Sequence, residues 1–93
     1  MNGEPLRRTF KVTNPNGLHM RPISAFVETA LKFPCDIHVA LAGKSRANGK
    51  SVLELMGLAA EQGSELIVEV AGPDAPQVMS ALLEVLEKTP VEE

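Results

Sequence analysis

The first regular pattern along the chain is an alternation. Thr9-Phe10-Lys11-Val12-Thr13 sets Phe10 and Val12 on one face and predicts a strand, which the turn-forming run Asn14-Pro15-Asn16-Gly17 ends. From Pro22 the period lengthens. Ile23, Phe26, Val27, Ala30 and Leu31 recur at helical spacing, and Phe33-Pro34 closes that helix because the residue before a proline is driven out of the helical region. Ile37, Val39 and Leu41 alternate with His38 and Ala40 as a second strand. Ala42-Gly43-Lys44 then turns the chain, and 45–48 returns as a short third strand. Ser51-Val52-Leu53-Glu54 has the form of a capping box and predicts a short helix through Leu55, Met56, Leu58 and Ala59, ending near Gly63. Leu66, Val68 and Val70 alternate within a fourth strand over 65–71, broken by Gly72-Pro73. Asp74 as N-cap, Pro76 in the first turn and Gln77 behind it start a last helix with Val78, Met79, Leu82, Val85 and Leu86 on its apolar face. Residues 1–5 and the tail from Thr89 to Glu93 are expected to be loose.

The order β-α-β-β-α-β-α predicts an α+β fold: an antiparallel or mixed sheet with its helices packed on one face. Thr9, Lys11, Thr13, His38 and Glu69 suit the opposite, solvated face. Ninety-three residues suffice for one core, expected over about residues 6–88, and large catalytic architectures do not fit this length. No apolar run approaches the roughly 20 residues that span a bilayer, and the first residues lack the apolar stretch of a signal peptide. The single cysteine, Cys35, allows no internal disulfide, which fits a reducing, cytoplasmic compartment.

Charge changes the picture through its placement. Net charge is −3, yet residues 1–50 carry eight Lys/Arg against three Asp/Glu, while 51–93 carry one against nine. If the asymmetry survives folding, one end of the molecule attracts acidic partners; otherwise it is ordinary solvated surface. Nucleic acid is a weaker candidate, since the chain is acidic overall and has three Phe but no Trp or Tyr for base stacking.

Two segments invite a chemical reading. Gly43-Lys44-Ser45 and Gly49-Lys50-Ser51 mimic the end of a phosphate-binding loop, but five residues separate Gly43 from Gly49 where that loop needs four. A turn and a helix cap account for both glycines. Asn16-Gly17-Leu18-His19-Met20-Arg21-Pro22 carries more. It places His19 near the N-cap of the first helix, where the N–H groups of Met20 and Arg21 precede the helical hydrogen bonds and the helix dipole is positive. An anion on His19 would be met there, and the Arg21 guanidinium suits phosphate oxygens. A free imidazole, with a pKa of about 6.5, is largely neutral near pH 7 and can offer its lone pair to phosphorus. The bland alternative is an exposed histidine ahead of a helix. His38, in an alternating strand, reads as a surface residue.

The run Gly17-Leu18-His19-Met20-Arg21-Pro22 resembles the active-site signature of HPr, the histidine-containing phosphocarrier of the bacterial phosphoenolpyruvate-dependent phosphotransferase system. Asn48-Gly49-Lys50-Ser51, followed by Val52-Leu53-Glu54-Leu55-Met56, resembles the regulatory-serine segment of that family. Gly63-Ser64-Glu65 through Gly72-Pro73-Asp74-Ala75 resembles its fourth strand and last helix start. The resemblance covers roughly residues 8–87. It implies an open-faced β-sandwich, four antiparallel strands with three helices on one side. It further implies that His19 is phosphorylated on Nδ1 by phosphorylated Enzyme I, that Arg21 stabilises the phosphate, and that the group passes to a downstream EIIA-type acceptor. Ser51 would be the substrate of an HPr kinase/phosphorylase, with a helix N-cap as its plainer role. Met20, Ser24, Val52, Leu53 and Met56 would dock partners, although some of these apolar side chains also suit the core. The expected carrier is a cytoplasmic monomer with no metal or organic cofactor of its own, bound to neither nucleic acid nor membrane.

The chain departs from the common family pattern at Met20, where a small residue is usual, and at Glu54, an acidic residue near the docking helix. Its Arg46–Ser51 turn resembles that of nitrogen-related members, which leaves sugar transport and regulation both open downstream. Two readings from other classes also remain: a regulatory protein of this fold that acts by docking alone, and a small ligand-binding domain with a coincidental motif.

Overall fold

The computed structural model describes residues 4–44 and 46–88. The readings placed on residues 1–3, on Ser45 and on 89–93 lie outside it. Seven elements follow in order: β1 (Leu6–Lys11), α1 (Met20–Ala30), β2 (Asp36–Leu41), β3 (Arg46–Asn48), α2 (Val52–Met56), β4 (Glu65–Ala71) and α3 (Ala75–Lys88). The strands form one antiparallel sheet of order β1-β4-β2-β3, with β4 between β1 and β2. This is the expected α+β architecture.

One apolar core lies between the sheet and the helices. Leu66, Val68 and Val70 of β4 and Ile37 and Val39 of β2 point into it, meeting Ile23, Phe26, Val27 and Ala30 of α1 and Val78, Met79, Leu82 and Leu86 of α3. The alternation of period two in the strands and the 3.6-residue period in the helices put these side chains on facing surfaces. Gly72 and Gly49 fit the chain closely around them. A Cβ on Gly49 would stand 2.5 Å from Ile37 Cγ2, so packing and not phosphate binding explains that glycine.

Three elements differ in extent from the sequence reading, and a fourth in the geometry of its start. β1 starts at Leu6 and ends at Lys11, because pairing with β4 runs from Leu6↔Val70 to Lys11↔Glu65 and the charged Arg7 and Arg8 do not advertise a strand. Thr13 therefore lies beyond the strand it was assigned to. α2 stops at Met56 instead of continuing through Leu58 and Ala59. Gly57 is its C-cap, and Ala59 turns the chain with a left-handed φ of 53°. Leu31 caps α1 and is 63% exposed instead of joining the core face. Asp74 precedes α3 with a left-handed φ of 60°, not the extended backbone of an ordinary N-cap, and its carbonyl accepts from Val78 N–H at 3.0 Å.

On the open face, the register sets Glu69 between Arg7 and His38. Arg7 Nε and Arg46 Nη1 donate to its two carboxylate oxygens at 2.6 and 3.2 Å. The hydrogen bond from Arg7 holds the Glu69 carboxyl below its ordinary value of 4.5, against partial burial, with both arginine charges adding to the effect. A depressed carboxyl stabilises the fold above the unfolded pKa, and that contribution disappears as pH falls through the folded value. The arginines are mostly exposed, so solvent screening limits the effect to about 1 kcal/mol or less. Unfolding titrations of the native chain and Glu69→Gln should therefore diverge above pH 4.5 and converge below it. A constant difference across that range would remove the ion pair as its cause.

Candidate functional site

The turn ahead of α1 is seated on the loop between α2 and β4. Gly17 N–H donates to Asn14 O at 2.8 Å, Asn16 N–H to Asn14 Oδ1 at 2.9 Å, and Leu18 N–H to Ala60 O at 2.9 Å. Gly17 has a φ of 71°, and a Cβ there would lie 2.5 Å from Ala60 O. From this seat the chain extends through His19, the N-cap of α1, with φ −109° and ψ −170°. The first intrahelical hydrogen bond runs from Ile23 N–H to His19 O at 3.1 Å, and Pro22 contributes no N–H at all. The first turn of α1 holds no acidic residue, so no carboxylate of that turn offsets the positive end of the helix.

The His19 side chain makes no capping hydrogen bond. The residue is half-buried, and its Nε2 is fully enclosed with no hydrogen-bond partner among the described residues. An enclosed, unpartnered nitrogen costs about 1–3 kcal/mol and marks a place where packing alone does not choose the residue. It also differentiates the ring, since Nδ1 is not among the enclosed, unpartnered atoms. Arg21 is exposed on the same first turn, two residues from His19. His38 is elsewhere, half-buried in β2 and opposite Glu69 and Asn48.

The short α2 packs against α1. Ser51 is its N-cap, and its hydroxyl accepts from Glu54 N–H at 3.1 Å. The return bond of a capping box is absent, since Glu54 Oε1 takes the N–H of Asn48 at 2.8 Å and Ser51 N–H goes to Asn48 O. The apolar residues of this segment divide. Leu55 and Leu58 enter the core, Val52 is half-buried against it, and Leu53 and Met56 stay 82% and 46% exposed. On α1, Met20 is 50% exposed and its sulfur accepts from Ser24 Oγ at 3.4 Å. Met20, Leu53 and Met56 thus form exposed apolar positions on two packed helices, with Met20 next to His19 in the chain, and Leu31 adds one at the far end of α1. Alternation and period do not reveal the seat at Ala60, nor Lys50, whose Nζ reaches Phe33 O at 2.7 Å and ties the start of α2 to the end of α1. Ser51→Ala should lower stability by about 1 kcal/mol through loss of the cap. Urea unfolding with an unchanged m value would show it, and an unshifted midpoint would deny Ser51 its structural part.

No helix among the described residues is long and apolar enough to cross a membrane. Among the same residues, no group of three His, Cys, Asp or Glu side chains is placed to hold a metal ion.

Residues 6–88 match the family model of the PTS HPr component phosphorylation site. The phosphocarrier protein HPr of Lysinibacillus sphaericus is 43% identical over 77 residues, covering 83% of this chain and 86% of that protein. The crystal structure of HPr-C-His from Thermoanaerobacter tengcongensis superposes with a TM-score of 0.84 at 34% identity, covering 95% of this chain and 98% of that one. An HPr dimer from the same organism superposes with a TM-score of 0.68 at 33% identity, covering 84% and 88%. With a matched family model over nearly its whole length and the matching sheet and helix order, the chain belongs to the HPr family, the phosphocarrier component of the phosphotransferase system.

Proposed function

We propose that His19 is the residue that carries the phosphoryl group, on Nδ1, and that Arg21 holds the phosphoryl oxygens. The observation that supports this most is the state of the imidazole: one nitrogen enclosed and unpartnered, the ring at the positive end of α1. The donor is phosphorylated Enzyme I. The Nδ1 lone pair attacks phosphorus, a new N–P bond forms as the bond to the donor breaks, and the donor retains that electron pair. Arg21 and the first turn of α1 balance the charge of the transferring group. The phosphoryl then passes to a downstream EIIA-type acceptor, in sugar uptake or in regulation. In this relay the chain is a phosphorylated protein substrate, not a free-standing enzyme, and it acts as a cytoplasmic monomer. Phosphoenolpyruvate and Mg²⁺ are requirements of Enzyme I.

Met20, Ser24, Val52, Leu53 and Met56 form the surface on which both partners dock in turn. A carrier must release each partner quickly, and a small apolar patch beside the reactive nitrogen meets that need. Ser51 is the hydroxyl that an HPr kinase/phosphorylase would address. Leu53→Asp should raise the KM for this chain in the Enzyme I reaction about tenfold or more with little change in kcat, as loss of ground-state docking requires. An unchanged KM would take Leu53 out of the surface.

The test of the central reading is incubation with Enzyme I, Mg²⁺ and phosphoenolpyruvate, followed by intact-mass measurement and nitrogen NMR of the imidazole. The expected result is a gain of one acid-labile phosphate with the substituent on Nδ1. No gain with a cognate Enzyme I would overturn the carrier reading in favour of a docking-only protein, and substitution on Nε2 would overturn the assignment of the nitrogen.

A further inference from the structure

The turn between β3 and α2 is bound more completely than a helix cap requires. Its four successive backbone N–H groups are all engaged: Asn48 by Glu54 Oε1 at 2.8 Å, Gly49 by Ile37 O at 2.7 Å, Lys50 by Asn48 Oδ1 at 2.9 Å and Ser51 by Asn48 O at 3.1 Å. Lys50 Nζ is committed as well, to Phe33 O at the end of α1. Glu54 grips this turn twice. Its N–H donates to the Ser51 hydroxyl, and its carboxylate accepts from Asn48. Ser51 is therefore flanked by a closed hydrogen-bond circuit with a carboxylate built into it.

We propose that Glu54 is a specificity-determining residue for Ser51: its charged clasp makes the hydroxyl a poor phosphoryl acceptor and reserves it for capping. The inference rests on the reading of Ser51 as a kinase substrate. In that reaction Ser51 Oγ attacks the γ-phosphorus of a nucleoside triphosphate. The Oγ–P bond forms, the bond from phosphorus to the nucleoside diphosphate oxygen breaks, and the hydroxyl proton goes to a base of the kinase. The product places a charge of about −1.5 to −2 in the same turn as the Glu54 carboxylate. No N–H of residues 48–51 is left to receive its oxygens, because the circuit already uses all four, which leaves the first turn of α2 alone to meet them. Ser51 Oγ also gives one of its two lone pairs to Glu54 N–H, which lowers its nucleophilicity. Charge repulsion and the closed turn act in the same direction, and the Glu54 carboxylate takes part in both.

The experiment compares the full native chain, Glu54→Gln and Glu54→Ala as substrates of an HPr kinase/phosphorylase with Mg²⁺-ATP. An HPr that this kinase modifies is run alongside as control. Glutamine keeps an oxygen able to accept from Asn48 and removes the charge; alanine removes both. The native chain is expected to be modified slowly, Glu54→Gln several-fold faster and Glu54→Ala at least about tenfold faster. Equal rates for the three chains, whether all fast or all at zero beside an active control, would overturn the proposal. Each preparation is also offered to phosphorylated Enzyme I. Normal labelling of His19 in all three would show that the variants fold, and failure of that labelling in the native chain would strike the carrier reading while leaving the Ser51 comparison intact.

Discussion

His19→Ala is expected to abolish acid-labile phosphorylation by Enzyme I and phosphoenolpyruvate, with a loss of at least about a thousandfold, since the acceptor nitrogen itself is gone. No second imidazole can replace it. His38 is held in β2, in register with Glu69 and Asn48, and not on the first turn of α1. The same variant should keep its fold. The His19 side chain makes no capping bond that alanine would forfeit, and its enclosed Nε2 is unpartnered. Removing such an atom relieves a desolvation cost that offsets the lost packing of a half-buried ring, so stability should move by no more than about 1 kcal/mol. Activity lost with stability kept is the pattern of a residue retained for chemistry. The paired measurement is intact mass after the Enzyme I reaction and the urea midpoint of each chain. Equal phosphate gain in both would place the acceptor elsewhere, and a collapse of stability would make His19 a structural residue.

Much of the fold was legible because two periods dominate the chain. Ile37 and Val39, then Leu66, Val68 and Val70, could face only one side of a sheet, and Ile23, Phe26, Val27 and Ala30 only one side of a helix. The misreadings fall where local pattern and tertiary context part. The alternation read over Thr9–Thr13 leaves out Arg7 and Arg8, yet pairing with β4 makes them strand, with Arg7 matched to Glu69 across the sheet. Leu58 and Ala59 continue the apolar run of α2, but backbone geometry at Gly57 and Ala59 ends the helix first. Leu31 keeps the helical period one step beyond the last core position.

The candidate site was legible as residues and not as geometry. The motif singled out His19 and Arg21, and cap chemistry singled out Ser51. Nothing in residue spacing indicates that Nε2 is enclosed, or that Glu54 passes over Ser51 N–H to reach Asn48. The second is a local choice within residues 48–54, and the first depends on how the turn ahead of α1 is placed. That placement depends in turn on the contact between the Asn14–Gly17 turn and the loop before β4.

This contact gives the second large prediction. Gly17→Ala should cost roughly 3 kcal/mol, from two sources. A φ of 71° is the left-handed region, where a Cβ costs about 1–2 kcal/mol in backbone strain. The added atom would also stand 2.5 Å from Ala60 O and 3.0 Å from Glu61 Cα, both backbone atoms that cannot swing aside. The loop must therefore move, and with it the 2.9 Å bond from Leu18 N–H to Ala60 O that fixes the residue before His19. Gly43 separates the two sources. Its φ is 80°, equally left-handed, but a Cβ there would meet nothing within 4 Å, so Gly43→Ala should show the strain alone, about 1–2 kcal/mol. Phosphorylation by Enzyme I, measured well below either unfolding midpoint, should fall in Gly17→Ala and not in Gly43→Ala, because only the first displaces the seat of the imidazole. Equal stability losses with equal phosphorylation rates would mean that Ala60 does not hold the turn, and that the geometry of His19 is set by α1 alone.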